Sequence, residues 1–352
     1  MAQILVTGSA GLVGSAAVRL FCEQGYEVVG IDNNMRKQFF GPAGDTAWNN
    51  ERLMKAYPRY RHLNMDIRDE ESISVLFRTT PFDLIVHAAA QPSHDWAASD
   101  PQTDFSINAN GTLILLENFR KYANEAVFIF TSTNKVYGDL PNTLPLIELE
   151  TRYELENHHP WFQGIDETMS IDRSMHSLFG VSKLAADLLV QEYGRYFQLK
   201  TAVFRCGCLT GAGHAGTRMH GFLSYIMRCC ITGERYVING YKGKQVRDNI
   251  DARDLARAFH LFFLRPRCGA VYNIGGGRSS ACSVLEAINL CQEISRKKME
   301  YEYTDHARAG DHIWWISSND AFRRDYPEWN LAYDLRTILL DIRDVQKSVV
   351  LT

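Results

Sequence analysis

Short apolar segments alternate with amphipathic ones through the first third of the chain. The apolar segments are residues 4–6, 27–31, 60–65, 84–89 and 127–130, and they are rich in β-branched and aromatic residues. Strands that are apolar along their whole length must be covered on both faces, which requires helices on both sides of a mostly parallel sheet. The sequence therefore predicts an α/β fold built on a doubly wound parallel sheet.

Composition limits what such a chain can do. The 352 residues are 45% hydrophobic with a formal net charge of −3, so a sizeable core is expected but no binding to nucleic acid or to an anionic membrane. Eight cysteines include no CxxC pair and no Cys/His cluster with zinc spacing, which predicts reduced thiols and no metal site. No leader-like segment and no run of ~20 apolar residues is visible. We expect a soluble, cytoplasmic protein.

A glycine-rich segment, Thr7-Gly8-Ser9-Ala10-Gly11-Leu12-Val13-Gly14, connects the first strand to the first helix. Glycines at this place let the backbone turn tightly and approach a pyrophosphate at the helix N-terminus. A simple tight turn is the alternative, but Asp32 ends the second strand about twenty residues later, where a carboxylate accepts from a ribose 2′-hydroxyl. That carboxylate would repel a 2′-phosphate and favours NAD over NADP, although Arg36 nearby weakens the preference. The candidate NAD contacts here are Gly8, Gly11, Leu12, Val13, Gly14, Asp32 and Asn33.

The second half of the chain is less regular, and no proline- or glycine-rich linker divides it. We expect residues 1–205 to form a Rossmann-type NAD-binding domain, continued by parts of 245–280. Residues 206–245 and 281–352 are expected to form a smaller, interleaved α/β lobe that binds substrate.

Further motifs, in the same order along the chain, resemble the extended short-chain dehydrogenase/reductase family. Asp66-Ile67 follows the third strand, Ala88-Ala89-Ala90 follows the fourth, and Asn108 stands in Asn108-Ala109-Asn110-Gly111-Thr112. The segment 131–138 matches the family's motif at a strand end and puts Thr133 at its catalytic Ser/Thr. The resemblance implies that the NAD site also includes Asp66, Ile67, Ala88, Ala89, Ala90 and Asn108. His87 is interpreted as a packed histidine rather than a catalyst.

Three segments narrow the resemblance to the nucleotide-sugar epimerases and dehydratases of that family. Residues 87–100, residues 132–138 and Gly243-Lys244-Gln245-Val246-Arg247-Asp248 are similar to the CDP-paratose (CDP-tyvelose) 2-epimerases, and the resemblance covers nearly the whole chain. Members of that group use bound NAD to oxidise C2 of a CDP-sugar and return the hydride to the opposite face. The resemblance implies an NAD-dependent isomerase of carbohydrate biosynthesis. The sugar, the nucleotide and the carbon that reacts stay open.

The family's catalytic Tyr-x-x-x-Lys motif is altered in this chain. The sequence reads Phe179-Gly180-Val181-Ser182-Lys183, just before a predicted helix over 182–197. Removing a hydride from a carbinol requires a base for the hydroxyl proton, and a phenyl ring cannot accept one. Lys183 nevertheless remains a candidate for catalysis and for binding the nicotinamide ribose.

Three hypotheses account for the missing tyrosine. Another group takes the proton, with His176 as the first candidate and His94, Tyr137 or a water held by Thr133 as others. Alternatively, the chain catalyses a reaction that needs no such base. In the third hypothesis it binds NAD as a catalytically silent sensor or scaffold.

Arginines in the second half are candidates for the diphosphate of the substrate. Arg247 and Arg308 occupy places where extended family members hold the diphosphate, and a guanidinium matches that anion in shape and charge. A surface salt bridge is the alternative for each arginine. The full set of candidate substrate contacts is His94, Thr133, Arg218, His220, Arg247 and Arg308.

Two further alternatives concern the reaction and the assembly. A 4,6-dehydratase is the nearest enzymatic rival, but such dehydratases carry Asp-Glu directly after the catalytic Thr, where this chain has Asn134-Lys135. Family members often form homodimers through a helix bundle. Leu184, Leu188 and Leu189 of the predicted helix fit such an interface and fit a core face equally well.

Overall fold

The computed structural model describes residues 1–214, 216–217, 220–307 and 310–350, without the side chains of 348–350. The strands in chain order are β1 (Gln3–Thr7), β2 (Glu27–Ile31), β3 (Tyr60–Leu63), β4 (Leu84–His87), β5 (Val127–Thr133), β6 (Leu146–Glu148), β7 (Tyr153–Leu155), β8 (Lys200–Cys206), β9 (Cys208–Thr210), β10 (Tyr236–Asn239), β11 (Val246–Asp251), β12 (Ala270–Ile274), β13 (Ala281–Ser283), β14 (Tyr301–Thr304) and β15 (Trp314–Trp315). The helices are α1 (Leu12–Glu23), α2 (Arg36–Phe40), α3 (Ala47–Ala56), α4 (Glu70–Thr79), α5 (His94–Ser99), α6 (Pro101–Phe105), α7 (Gly111–Tyr122), α8 (Ser177–Tyr196), α9 (Phe222–Thr232), α10 (Ala252–Leu264), α11 (Val284–Ser295), α12 (Asp320–Asp325) and α13 (Leu335–Val350).

One compact unit comprises residues 1–136, 178–205 and 255–272. Its sheet has the strand order β12-β8-β5-β4-β1-β2-β3, and β1 pairs in parallel with both β2 and β4. The chain therefore crosses from one edge of the sheet back to its middle after β3. Ligands of open α/β sheets bind at such a reversal of strand order, beyond the carboxyl ends of the strands. The predicted α/β fold is confirmed.

The core of this unit lies on the apolar strands that the sequence singles out. Leu5, Ile85 and Phe128 from three neighbouring strands are fully buried, and Phe119 of α7 and Val190 of α8 belong to the same cluster. Burying an aliphatic or aromatic side chain of this size contributes about 1.5–3 kcal/mol. The sheet therefore provides a rigid frame for the loops that follow its strands.

Helix α8 begins earlier than the sequence indicates. The predicted start is residue 182, whereas the helix starts at Ser177, so Phe179 and Lys183 both lie inside it, four residues apart and on one face. Gly180 and Val181 favour helices only weakly, which is why the sequence places the start later. Burial of Phe179 and Gly180 overrides this preference.

A second compact unit comprises the described residues of 137–177, 206–254 and 273–352. Its apolar cluster is built from α9, α11 and α13, with residues such as Ile226, Ile288 and Leu339. Strand β11 runs between β13 and β15 and also pairs with β9. The sequence-based division differs from this one in residues 137–177, which it assigns to the first domain.

Across the ranges that the structure describes, none of the helices has the length and apolarity required to cross a membrane.

Candidate active site

The glycine turn after β1 is packed too tightly for any other residue at two of its positions. Gly8 has a φ of +68°, and a Cβ there would lie 2.8 Å from the backbone nitrogen of Ala89. A Cβ on Gly14 would lie 2.0 Å from the carbonyl oxygen of Gly8. Because glycine has no side chain, the backbone of the turn can contact the backbone at the start of α1 and just after the end of β4.

The Asp32 carboxylate, just after β2, is held against this turn. It accepts hydrogen bonds from the Ala10 amide at 3.0 Å and from the Asn34 amide at 2.8 Å. No side chain of the described residues caps the N-terminus of α1, whose first amide groups are therefore available to an anion. A side-chain-free cradle, helix amides and a carboxylate near one another fit the pyrophosphate and ribose of a dinucleotide.

The segment after β3 carries a second carboxylate. Asp66 accepts from the guanidinium of Arg68 at 2.7 Å and from the amide of Asn33 at 3.1 Å. The hydrogen bond from Arg68 lowers the pKa of Asp66, so this carboxyl is charged at neutral pH. Ile67 is buried, and a Cβ on Gly111 would lie 2.7 Å from its side chain. The predicted residues Asn33 and Asp66 are thus joined.

Small residues follow β4. Ala88, Ala89 and Ala90 are half-buried, and the Ala89 amide donates to the Thr7 hydroxyl at 3.2 Å. His87, at the end of the strand, lies in the core between the hydroxyls of Thr7 (2.7 Å) and Thr112 (2.9 Å).

Burial, together with the positive charge of Lys183, lowers the pKa of His87 to about 3. His87 is therefore neutral and, as predicted, a packed histidine.

Asn108 links two parts of the site. It lies in a π-helical turn over Ser106–Asn110, and its side-chain oxygen accepts from the Gln91 amide at 2.9 Å. Its side-chain nitrogen donates to the Ser182 hydroxyl and to the Asp104 carboxylate, both at 3.0 Å. Burial raises the pKa of Asp104. The chain beyond β4 is thereby tied to α8 at the residue before Lys183.

Lys183 lies beneath the end of β5. Its ammonium group donates to the carbonyl oxygen of Thr131 at 2.9 Å and lies 4.1 Å from the centroid of the Phe130 ring. Thr133 ends the same strand, and its hydroxyl accepts from the Lys135 amide at 3.2 Å. Lys183 thus contacts the strand that ends at Thr133, so two of the three catalytic candidates belong to one unit.

A buried ion pair lies beside these residues and was not predicted. Asp187 is fully buried and pairs with Arg205 of β8 at 2.9 Å. The same carboxylate accepts from the hydroxyl of Ser132 at 2.6 Å and from the Gln191 amide at 2.6 Å. The pair therefore joins β5, α8 and β8 next to Thr133. The sequence feature that could have indicated this pair is Arg205, which follows the apolar residues 202–204 in the same strand.

Phe179, where the family has tyrosine, is buried and lies against a histidine. Its ring centroid is 4.8 Å from that of His94, with the planes inclined by 58°. His94 is half-buried and begins α5, which Ser93 caps by accepting from the Trp96 amide. The histidine, the phenylalanine and Lys183 thus belong to one unit.

Two of the other proposed substitutes for the tyrosine, His176 and Tyr137, lie in the second unit. Nδ1 of His176 is 3.0 Å from the carbonyl oxygen of Ser174. Tyr137 is fully buried, donates to the side-chain oxygen of Asn273 at 2.8 Å and stacks on Trp315. Its hydroxyl is therefore engaged in the core, and the hypothesis that it replaces the missing base loses support.

The candidate substrate contacts of the second unit are only partly described. Arg247 is buried on β11, where its guanidinium donates to the Asp311 carboxylate at 2.5 Å. Nδ1 of His220 lies 3.2 Å from Nε2 of His214. Arg218 and Arg308 lie outside the described residues. Asp311, a partner that the sequence did not indicate, competes with any anion for Arg247.

Comparison with known proteins agrees with this geometry. Residues 4–275 match the model of the NAD dependent epimerase/dehydratase family. CDP-paratose 2-epimerase of Salmonella typhi is 31% identical over 306 residues, which cover 85% of this chain and 86% of that protein. dTDP-glucose 4,6-dehydratase of Salmonella typhimurium is 29% identical over 318 residues, covering 85% and 79%.

A solved structure is similar along the whole chain. It is a Tyr-to-Phe mutant of UDP-glucuronic acid 4-epimerase from Bacillus cereus, in complex with UDP-4-deoxy-4-fluoro-glucuronic acid and NAD. It has 22% identity and a TM-score of 0.80, and the match covers 99% of both chains. The fold of this chain is therefore that of the structures solved for such epimerases.

Proposed function

This chain belongs to the NAD-dependent epimerase/dehydratase family, and we propose that it epimerises a nucleotide-activated sugar, with C2 of a CDP-sugar as the reacting centre. The observation that carries the proposal is the hydrogen bond from the Lys183 ammonium group to the Thr131 carbonyl of β5, the strand that ends at Thr133. The similarity to a CDP-paratose 2-epimerase supports the choice of nucleotide and carbon.

The cofactor in this proposal is NAD, held by the first unit. The backbone around Gly8 and Gly14 would hold the pyrophosphate, and Asp32 would accept from the adenosine ribose. Asn33, Asp66 and Ile67 would contact the adenine. The small side chains Ala88, Ala89 and Ala90 would leave room for the rest of the cofactor, beside Asn108. NAD, when bound, supplies a hydride acceptor that can return the same hydride.

The chain's own groups prepare the sugar for that exchange. The Thr133 hydroxyl would hydrogen-bond the sugar hydroxyl that loses its proton. The ammonium group of Lys183 places a fixed positive charge at the strand end, which favours a developing alkoxide in a site of low dielectric constant. Both groups are held in place by backbone contacts at Thr131 and Lys135, so little reorganisation is required.

The residues after Thr133 argue against a dehydratase. Elimination of water from a sugar requires one group that removes a proton from carbon and another that protonates the leaving hydroxyl. Asn134 is buried and carries an amide, which does neither at neutral pH. The Lys135 ammonium group can donate a proton but cannot remove one from carbon. Epimerisation requires no such pair.

The proposal is tested by incubating the purified protein with CDP-, UDP-, GDP- and dTDP-sugars and identifying the products by NMR. We expect the protein to release NAD(H) on denaturation without any having been added, and a CDP-sugar to yield its C2 epimer. A 4-keto-6-deoxy product would indicate dehydration instead. Absence of both dinucleotide and turnover would contradict the proposal.

Arg247 is proposed to hold the diphosphate of the substrate. Replacing it by alanine should raise the KM for the nucleotide sugar about ten- to a hundredfold, because a charge-assisted hydrogen bond contributes roughly 1.5–3 kcal/mol. The NAD content should not change. The matched control is Arg235→Ala, which removes an exposed arginine of the same unit that pairs only at the surface. An unchanged KM in Arg247→Ala would place the diphosphate elsewhere.

A further inference from the structure

Phe179 leaves the proposed reaction without its usual proton acceptor. When a carbinol loses a hydride from carbon, the proton on its oxygen must also leave, and a positioned base accelerates that transfer by about 10²–10⁴-fold. Thr133 and Lys183 are the candidate catalytic residues of the first unit. The titratable side chains described around these two residues can therefore be compared directly.

Three of them are unsuited to the task. Lys183 is an ammonium that donates to Thr131 and stands over Phe130, and it has no lone pair to offer. His87 has both ring nitrogens engaged by hydroxyls inside the core. The Asp104 carboxylate is buried and accepts from the side-chain amides of Gln91 and Asn108.

His94 differs from these groups in exposure and in position. Its imidazole is half-buried and contacts the ring that stands where the family has its phenol. A neutral imidazole carries one nitrogen that accepts a proton near neutral pH. His94 therefore places a proton acceptor beside Phe179, where the family has its tyrosine.

The backbone around His94 is fixed relative to α8. The Gln91 side chain accepts from the Ser93 amide at 2.5 Å and donates to the Ser93 carbonyl at 2.8 Å. Asn108 accepts from the Gln91 amide and donates to Ser182 on α8. One hydrogen-bonded chain thus connects the residue before His94 with the residue before Lys183. Such a frame is what a catalytic group requires to keep its distance from the reacting atoms.

We propose that His94 is the general base and acid of this enzyme and replaces the family's tyrosine. The inference rests on the proposed function. In the oxidation, the sugar O–H bond would break and its proton would move to the unprotonated imidazole nitrogen of His94, while the C–H bond would give its electron pair as hydride to NAD, when bound, and the C=O bond would form. In the return step, the imidazolium gives the proton back to oxygen as the hydride rejoins carbon on the other face.

The first test removes the imidazole and then restores a base. His94→Gln should lower turnover at least about a hundredfold, while the NAD content stays within about twofold. His158→Gln, which removes an exposed histidine, is the matched control. Adding Phe179→Tyr to His94→Gln should recover at least about tenfold, because it supplies a phenol in the space next to Lys183. A purely structural role of His94 would not be rescued in this way.

A second readout does not depend on turnover. With ¹³C-labelled histidine, the ring signal that His94→Gln removes should shift when the nucleotide sugar saturates the wild-type protein, while the His158 signal should not. Wild-type-like turnover in His94→Gln, or a signal that does not shift at saturation, would overturn the proposal. So would loss of turnover in His176→Gln with His94→Gln still active. If the wild-type protein binds and converts no nucleotide sugar, the proposed function itself fails, and the role of His94 fails with it.

Discussion

Replacing Lys183 by alanine is expected to weaken NAD binding by about ten- to a hundredfold and to reduce turnover beyond that. The ammonium group is a charged donor that contacts β5 near its carboxyl end, and one hydrogen bond to a charged group contributes roughly 1.5–3 kcal/mol. The substitution also leaves the Thr131 carbonyl without the donor it has at 2.9 Å. NAD content of the purified protein and turnover of the nucleotide sugar measure the two effects.

The matched control for this prediction is Lys200→Ala. Lys200 donates to the carbonyl of Glu125 at the surface, on a neighbouring strand. The Lys200→Ala variant should keep full NAD content and turnover. If Lys183→Ala also kept both, the lysine would be no more than a packing residue, and the assignment of the site to the end of β5 would be wrong.

Replacing Asp187 by alanine should destabilise the protein by about 3–5 kcal/mol. The carboxylate is fully buried, and its removal leaves the guanidinium of Arg205 uncompensated in the interior, together with an unpaired Ser132 hydroxyl. Denaturant-induced unfolding followed by circular dichroism measures the effect. Glu192→Ala, on the same helix, removes an exposed partner of Arg195 and should cost less than about 1 kcal/mol. Equal, small shifts in both variants would show that the buried pair contributes little.

The sheet was predictable because its strands are apolar on both faces. Short segments of this kind, separated by helical patterns, have few alternatives to a parallel sheet, and β1, β2, β4 and β5 begin at or next to the residues that the sequence indicates. The exact ends of the strands and helices were harder to predict from the sequence. Strands β3 and β4 end two residues before their predicted ends, and α8 starts at Ser177 because burial of Phe179 outweighs the weak helix propensity of Gly180.

The site was predictable where one local motif carries the chemistry. The glycine turn, Asp32 and Lys183 can each be recognised in the sequence by residue type and spacing. The Asp187–Arg205 pair does not, because its partners lie 18 positions apart and belong to no motif. The same holds for Asp311 beside Arg247, and for the contact between His94 and Phe179. The sequence names His94 among several substitutes for the tyrosine, and only the fold brings its ring to that position.

The most direct test of the account follows the hydrogen on the carbon that inverts. The purified protein is incubated with the nucleotide sugar in deuterated water, and the epimer is analysed by NMR. Hydride removal and return keep the original hydrogen out of contact with solvent, so the inverted carbon should carry protium. Deuterium at that carbon would mean that a base removes a proton from carbon, and would contradict the transient oxidation proposed here.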